Sequence, residues 1–304
     1  MSTTARISGP PEGKETPGRE RKPVWLNVRL PSDPSFFHVA EILKEHRLHT
    51  ICRSARCPNI GECWSLRTAA FLILGDTCTR ACGFCAVAKG KPSAPDEADP
   101  GHIAAVVRSL GLKYTVITSV TRDDLPDGGA SIFARTIRAV REESPRTKIE
   151  VLVPDFDGSM EALDVVLDAE PDVLNHNLET TESLYPRIGR PAGNYRRSLE
   201  VLAAAKRRKA LTKSGLMIGL GEKMEDVLQT FSDLRRAGCD LLTIGQYLQP
   251  SRANAPVEKY FSPGEFNDLR TIALDFGFAD VVAGPLVRSS FHADELYASV
   301  KGRT

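Results

Sequence analysis

The sequence predicts an α/β fold in which parallel strands and helices alternate around a partial barrel. From residue 69 onward, short apolar runs alternate with helical patterns, which is typical of parallel strands joined by right-handed crossovers. The runs lack strict polar alternation, as expected for strands buried on both faces. Polar side chains recur where the strands end, and barrel active sites are assembled there. An open doubly wound sheet is the alternative, because periodicity alone does not separate the two folds.

The elements follow one another in the order that β–α units require. The strand candidates are residues 69–75, 114–120, 148–154, 172–179, 211–219, 240–247 and 280–285. The helix candidates are residues 99–110, 129–143, 159–169, 194–208, 223–237 and 263–276. Their alternation predicts a six-unit (β/α) barrel segment over residues 69–279.

Both ends of the chain differ from this pattern. Residues 1–24 are rich in proline, glycine and charge, and we expect a disordered tail. Residues 25–68 form a predicted N-terminal extension, with an amphipathic helix over the stretch FFHVAEILKEHRL. Residues 280–304 form a predicted C-terminal extension. We expect the two extensions to cover the mouth of the barrel.

Composition limits the classes of function. The 304 residues carry a formal net charge of +1, which gives no reason to expect a nucleic acid or a membrane surface as partner. No apolar run approaches the roughly 20 residues of a membrane-spanning helix. The N-terminus shows no secretory signal, and we expect a cytoplasmic protein.

The cysteines are unevenly distributed. Six of the seven fall between Cys52 and Cys85, whereas Cys239 stands alone and is expected in the core. Because disulfides are rare in the cytosol, clustered cysteines there indicate metal ligands or catalytic thiols.

The first triplet, Cys78, Cys82 and Cys85, has the spacing CxxxCxxC directly after the first strand. Thiolates bind zinc or iron–sulfur clusters. Three ligands leave one iron of a four-iron cluster open to an outside ligand. A zinc site is the alternative, but structural zinc sites need a fourth ligand, and none is suitably spaced nearby.

The second triplet, Cys52, Cys57 and Cys63, has the spacing CxxxxCxxxxxC and precedes the first strand. Cysteines can also serve as small buried hydrophobic residues. Three of them next to a predicted cluster loop favour a second metal centre.

These motifs resemble the lipoyl synthase family of the radical S-adenosylmethionine (SAM) superfamily. The segments CPNIGECW, ILGDTCTRACGFCAVAKGKP, NHNLET, TIGQYLQPS and GPLVRSS agree with the family pattern, and the resemblance covers nearly all of residues 25–297. Phe291 stands where tyrosine is usual, and Arg53 and Ser54 stand where acidic residues are common. The segment RIGRPAGNY leaves the alignment of Arg190 uncertain. The resemblance implies the partial (β/α)6 TIM-type barrel of radical SAM enzymes.

The resemblance also implies two [4Fe-4S] clusters and SAM as cofactors. The first triplet would hold the cluster whose open iron binds SAM. The second triplet would hold an auxiliary cluster completed by Ser289, with Ser290 as the fallback. The implied SAM contacts are Gly128, Gly129, Asn177, Glu179, Gly219 and Glu222. For Asn177, Glu179 and the neighbouring Asn175, a loop hydrogen-bond network is the alternative.

The implied reaction inserts two sulfurs, at C6 and C8 of an octanoyl chain attached to a lysine of a carrier domain. An unactivated C–H bond has no usable acidity, so a protein base cannot remove its hydrogen, and a cofactor must supply a radical. The auxiliary cluster would donate its sulfide. Because the hard Ser289 oxygen binds iron less well than a thiolate would, this weaker ligation would let one iron leave as sulfur is consumed. An electron donor and a cluster-repair partner are further implied.

Two basic runs, Arg196-Arg197 and Lys206 to Lys209, could contact an acidic carrier, although a solvated helix face is the stronger interpretation. The nearest alternative function is another radical SAM sulfur-inserting enzyme, such as a methylthiotransferase or a biotin-synthase-like protein. From a different class, a non-catalytic zinc-binding module would also place cysteines in clusters.

Overall fold

The apolar runs of the sequence form an eight-stranded sheet in the computed structural model, which describes residues 22–28 and 31–302. The strands are β1 (His49–Thr50), β2 (Ala70–Ile73), β3 (Thr77–Cys78), β4 (Ala88–Lys89), β5 (Tyr114–Ser119), β6 (Lys148–Leu152), β7 (Val173–Asn175), β8 (Thr212–Ile218), β9 (Leu241–Gln246) and β10 (Asp280–Gly284). Eight of them form this sheet, and β3 and β4 pair with each other in a separate two-stranded sheet. The helices are α1 (Pro34–Glu45), α2 (Ile51–Ser54), α3 (Ile60–Ser65), α4 (Asp99–Leu110), α5 (Ala130–Glu143), α6 (Met160–Leu167), α7 (Gly193–Arg207), α8 (Met224–Arg236), α9 (Pro263–Asp275) and α10 (Ala293–Lys301).

The topology is that of repeated right-handed β–α units. Strands β2, β5, β6, β7, β8, β9 and β10 are neighbours in this order and pair in parallel, while the short β1 pairs antiparallel with β2. All seven predicted strands and all six predicted helices are present. Strand β7 ends four residues earlier than predicted, at Asn175. The chain leaves the sheet there and returns at Glu179, whose φ is 73°, to make one bridge with Leu216.

Burial explains why the strands are apolar without alternation. All four residues of β2 are at most 3% exposed, so both faces of that strand are covered. The helices pack one face on the sheet. Helix α5 buries Phe133, Ile137 and Val140 at helical spacing, and α9 begins with a capping box between Ser262 and Glu265.

The interior of the barrel contains a buried polar network in the plane of the strand centres. Lys213 Nζ lies 2.9 and 3.0 Å from the two carboxylate oxygens of Glu150. Tyr114 Oη donates to the same carboxylate at 2.6 Å, and Asn175 Nδ2 donates at 2.9 Å. This network fills the space below the strand ends. Open chemistry is therefore confined to the C-terminal ends of the strands.

The extensions pack against opposite edges of the sheet. In the N-terminal extension, Asp33 caps α1, and Phe36 packs on the buried Trp64. In the C-terminal extension, α10 brings the ring of Tyr297 to 5.7 Å from that of Tyr114, the first residue of β5. The C-terminal extension thus reaches the far end of the barrel in addition to its mouth.

Most of the predicted disordered tail, residues 1–21, lies outside the described residues. Its last residue, Val24, begins a 3-10 turn that ends at Leu26. Among the described helices, none is long and apolar enough to span a membrane.

Candidate active site

The first triplet occupies the loop between β2 and α4, at the C-terminal end of the barrel. Its thiols are half-buried and converge: burial raises the pKa of Cys85 to about 11, and negative charge on Cys82, Glu179 and Cys78 adds to the effect. Cys78 Sγ accepts hydrogen bonds from the backbone N–H groups of Arg80 and Thr121, at 3.4 and 3.3 Å. Such hydrogen bonds to sulfur tune the potential of an iron–sulfur cluster.

The far side of this loop is anchored to the barrel by the segment that follows β9. Asn254 Nδ2 donates to the carbonyl oxygens of Gly83 and Cys85, each at 3.1 Å. The Gly83 N–H donates to Ile188 O at 2.7 Å. The loop therefore has anchors other than its cysteine side chains.

The predicted glycine pair forms the N-terminus of α5 beside this loop. Gly128 and Gly129 have φ values of 60° and 90°, a conformation that favours glycine. A side chain at Gly129 would lie 2.2 Å from Leu74, which directly follows the strand leading to the cysteines. Asp127 accepts hydrogen bonds from the N–H groups of Gly129 and Ser131. The glycine pair thus lets Leu74 pack closely against the start of α5.

The residues that follow β7 divide between two places. Asn175 faces the interior network and is bonded to Glu150, so it lies below the mouth. Asn177 and Glu179 lie at the mouth, where burial raises the pKa of the Glu179 carboxyl and the nearby Arg190 opposes that rise. The structure brings Asn177 and Glu179 to the first triplet, but not Asn175.

Glu222 binds the turn that follows β8. Its carboxylate accepts the N–H groups of Gly219 and Leu220, at 2.5 and 2.9 Å. Gly219 has a φ of 103°, and a side chain there would collide with Gln246 Nε2 at 2.2 Å. The predicted pair Gly219 and Glu222 therefore shapes the strand end, and both residues lie at the same end of the barrel as the cysteines.

The second triplet is built on two short helices beside β1. Cys52 lies in α2, Cys63 lies in α3, and Cys57 lies between them. Burial, together with the charges of Cys52 and Cys57, raises the pKa of Cys63 to about 12, so the three thiols lie close together. The short helices, which we did not predict, turn the cysteines toward a common centre.

The C-terminal extension joins the second triplet to the barrel. Asn59 Nδ2 donates to Leu286 O at 2.7 Å, and His292 Nε2 lies 3.3 Å from Glu62 Oε1. Ser289 lies between these two contacts in sequence, and its Oγ donates to Asn177 Oδ1 at 2.9 Å.

Ser289 and Ser290 face different surroundings. A side chain at Gly215, inside the barrel, would lie 2.8 Å from Ser289 Oγ. Ser290 instead lines a depression of about 350 Å³ with Leu66 and Tyr114. Ser289 therefore faces Gly215 and Asn177 of the barrel, whereas Ser290 faces this depression.

The donor chemistry of both triplets fits iron–sulfur clusters. Each provides three cysteine thiols, and burial raises the pKa of Cys52, Cys57, Cys63 and Cys85. Cluster binding would replace the protons of these four thiols with iron. Over residues 22–28 and 31–302, no three His, Cys, Asp or Glu side chains are close enough to hold a single metal ion.

Sequence reasoning missed two residues at this site, the half-buried Arg190 and the buried His176. Arg190, whose alignment was uncertain, packs near the rings of Phe84 and Tyr185 and interacts with Glu179. His176 is buried, with Nδ1 on Val153 O and Nε2 without a partner. The segment NHNLE pointed to this strand end, but its pattern did not distinguish which side chains face the mouth.

Comparisons with known proteins agree with this geometry. The Radical SAM superfamily model matches residues 72–234. A lipoyl synthase from Rubrobacter xylanophilus is 50% identical over 299 residues, covering 95% of this chain and 93% of that protein. A lipoyl synthase from Symbiobacterium thermophilum is 53% identical over 285 residues, covering 93% of this chain and 89% of that protein.

Solved structures share the fold at low sequence identity. The FeFe-hydrogenase maturase HydG from Carboxydothermus hydrogenoformans aligns with a TM-score of 0.55 at 13% identity, over 87% of this chain and 60% of that one. Methylornithine synthase aligns with a TM-score of 0.50 at 14% identity, over 83% of this chain and 82% of that one. These likenesses support the partial barrel.

Proposed function

The chain belongs to the lipoyl synthase family of the radical SAM superfamily, and from this premise we propose roles for its two cysteine triplets. The protein is a transferase that inserts two sulfurs into an octanoyl chain carried by a lipoyl carrier, and it uses SAM and [4Fe-4S] clusters. We assign the SAM-binding cluster to Cys78, Cys82 and Cys85. We assign the sulfur-donating cluster to Cys52, Cys57, Cys63 and Ser289.

One observation supports this assignment above the others: Ser289 links the two triplets. Its segment is bonded to Asn59 beside Cys57, and its hydroxyl is bonded to Asn177 at the mouth. When bound, the cofactors would supply hydrogen-atom abstraction at the first triplet and sulfide at the second. In this proposal Ser289 lies between the two clusters, so that an octanoyl chain beside it would meet both.

The chain's own residues would position SAM and exclude water. Gly128 and Gly129, at the start of α5, would lie beside the methionine part, and the half-buried thiols of the first triplet would supply the cluster ligands. Asn177 and Glu179 would bind polar groups of the cofactor. Gly219 and Glu222 would shape the wall beside the adenine. Each of these positions lies at the C-terminal end of a strand.

The carrier would dock at the mouth, because most charges of the basic runs are paired with carboxylates. Arg197 pairs with Asp157, and Lys206 Nζ lies 2.7 Å from both carboxylate oxygens of Asp240. Arg208 pairs with Asp164 of α6 and with Asp168, which follows that helix. These contacts favour a solvated helix face over a carrier site. An external electron donor, a cluster-repair partner and a cytoplasmic location are further parts of the proposal.

The test compares cysteine variants of the anaerobically purified chain. The unmodified chain should bind about eight irons, as two four-iron clusters require. Cys57→Ala should lose half of the iron and all sulfur insertion, yet still release deoxyadenosine. Cys82→Ala should release none. The control is Cys239→Ser, because Cys239 is buried and its thiol donates to Leu241 O, away from both triplets.

The outcomes discriminate between the alternatives. Zinc without sulfide would refute the cluster assignment and support a zinc-binding module. Full sulfur insertion by Cys57→Ala would refute the sulfur-donating role of the second triplet, but it would not affect the assignment of the first triplet. If the unmodified chain releases deoxyadenosine but inserts no sulfur, the result would support another radical SAM activity.

A further inference from the structure

A buried ion-pair network lies inside the first-triplet loop and is not explained by cluster ligation. Arg80, between Cys78 and Cys82, donates from Nε and Nη2 to the two oxygens of Asp123, at 2.9 and 2.8 Å. Its Nη2 also lies 2.7 Å from Asp155 Oδ1. Asp155 is only 3% exposed and Asp123 is 36% exposed, so the arginine connects the loop to a buried carboxylate. Bidentate arginine–carboxylate pairs fix orientation as well as distance.

Asp155 stands at the head of a strained turn after β6. The next two residues, Phe156 and Asp157, have φ values of 46° and 50°, a conformation that is costly for residues other than glycine. The ring of Phe156 would lie 3.0 Å from a side chain at Gly128. One turn therefore contacts both the first-triplet loop, through Arg80, and the glycine pair assigned to SAM.

The charge at Asp155 depends on Arg80. Burial opposes ionisation of Asp155, but the hydrogen bond and the charge of Arg80 outweigh it and hold the pKa of that carboxyl below its usual range. A second cation, Arg197, lies farther away, at 3.9 Å. Without Arg80, the buried carboxylate would keep this more distant cation and the hydrogen bond from the Asp157 N–H, at 3.1 Å.

The loop is held at both ends, and Arg80 contributes at one of them. Asn254 holds the end that carries Cys85, as described above. Arg80 and the backbone bond from the Thr79 N–H to Thr121 O, at 3.1 Å, hold the end that carries Cys78. Loss of Arg80 would loosen that end of the loop, which keeps the Thr79 bond, while all three thiols remain.

We propose that Arg80 is a positioning residue, which uses Asp155 and Asp123 to set the first-triplet loop against the SAM-binding glycine pair. The proposal rests on the cluster assignment above and goes beyond it. Retention of the cluster depends on the cysteines, whereas the geometry in which SAM meets the cluster depends on Arg80. The ion pairs of Arg80 with Asp123 and Asp155 also place fixed charges of both signs near Cys78.

The test uses Arg80→Gln, Arg80→Lys and Asp155→Asn in the anaerobically purified full chain. The control is Arg108→Gln, which removes a 2.6 Å ion pair with Glu143 between exposed side chains. Four quantities are measured: iron and sulfide content, the midpoint potential and electron paramagnetic resonance spectrum of the reduced first cluster with SAM, the rate of deoxyadenosine formation, and amide hydrogen exchange over residues 77–85.

We expect Arg80→Gln to keep its iron, to change the spectrum with SAM, and to cleave SAM about 100-fold more slowly, because small misplacements cost about that factor. Arg80→Lys should recover part of the rate. Removal of a positive charge disfavours reduction, so Arg80→Gln should lower the midpoint potential. Asp155→Asn should raise it. A residue that only stabilises the fold would not shift the potential in opposite directions in these two variants.

Three results would overturn the proposal: an unchanged rate and spectrum in Arg80→Gln, loss of its iron, or potentials that shift alike in Arg80→Gln and Asp155→Asn. Hydrogen exchange separates this failure from a failure of the cluster assignment. Arg80→Gln should speed exchange over residues 77–85, and Arg108→Gln should not, whether or not the chain cleaves SAM. Unchanged exchange would show that Arg80 is no anchor.

Discussion

Replacing Lys213 by methionine should strongly destabilise the barrel. Lys213 and Glu150 are at most 1% exposed, and both carboxylate oxygens contact the ammonium group. The methionine chain fills most of the volume but leaves the carboxylate charge with only the hydrogen bonds from Tyr114 and Asn175. Removal of one partner of a buried ion pair costs about 3–5 kcal/mol, and about 4 kcal/mol lowers the ratio of folded to unfolded chain nearly 1,000-fold.

The assay is urea unfolding of the purified full chain, followed by circular dichroism. With a slope near the upper end of the usual range, about 3 kcal/mol per molar, the midpoint should fall by at least about 1 M. The control Lys259→Met breaks an exposed pair with Glu265 and should cost less than about 1 kcal/mol. The double variant Lys213→Met with Glu150→Gln should recover most of the loss, because a neutral amide still accepts from Tyr114.

Two results would contradict this reasoning. The first is a midpoint for Lys213→Met no lower than that of Lys259→Met. The second is a double variant as unstable as the single one, since the loss would then come from packing and not from the unpaired charge.

Two further predictions concern the mouth of the barrel. Burial lowers the pKa of His176 to about 4, below the unfolded value of about 6.5, so its stabilisation is complete above pH 6.5 and is lost as pH falls toward 4. The variant His176→Asn keeps a donor for Val153 O. Between pH 7 and pH 5 its free energy of unfolding, measured by urea titration, should fall by about 2 kcal/mol less than that of the unmodified chain, and equal losses would contradict this. A side chain at Gly245 would lie 2.1 Å from Val287 O, so Gly245→Ala should slow sulfur insertion about 100-fold while deoxyadenosine release persists. Gly264→Ala, where the nearest atom lies at 3.8 Å, should match the unmodified chain, and an equal loss in both variants would reject the explanation.

The β–α units could be predicted from the sequence because burial on both faces leaves a plain signal. The strand β2 is apolar at all four positions, and helix α5 repeats its apolar residues at helical spacing. The sequence predicts a strand β7 that is four residues too long, because the segment after Asn175 contains both polar and apolar residues, as a half-buried strand does. Its departure depends on the left-handed Glu179, which the sequence does not reveal.

The candidate site was predicted in its cysteines and glycines, but not in its supporting contacts. Cysteine spacing is local, so both triplets could be read directly from the chain. The pairing of Arg80 with Asp155 joins residues far apart in sequence, and each looks like an ordinary loop charge. The approach of Ser289 to Asn177 depends on how the C-terminal extension folds back, which only the family resemblance suggested.

The most direct test of the account asks where the inserted sulfur comes from. The chain is loaded with clusters made from a heavy sulfur isotope and given octanoyl carrier, SAM and reductant without free sulfide. Mass spectrometry should then find both inserted sulfurs heavy, and none inserted by Cys57→Ala or Cys63→Ala. Product containing ordinary sulfur, or heavy sulfur inserted without Cys57, would contradict the claim that the second triplet holds the sulfur donor.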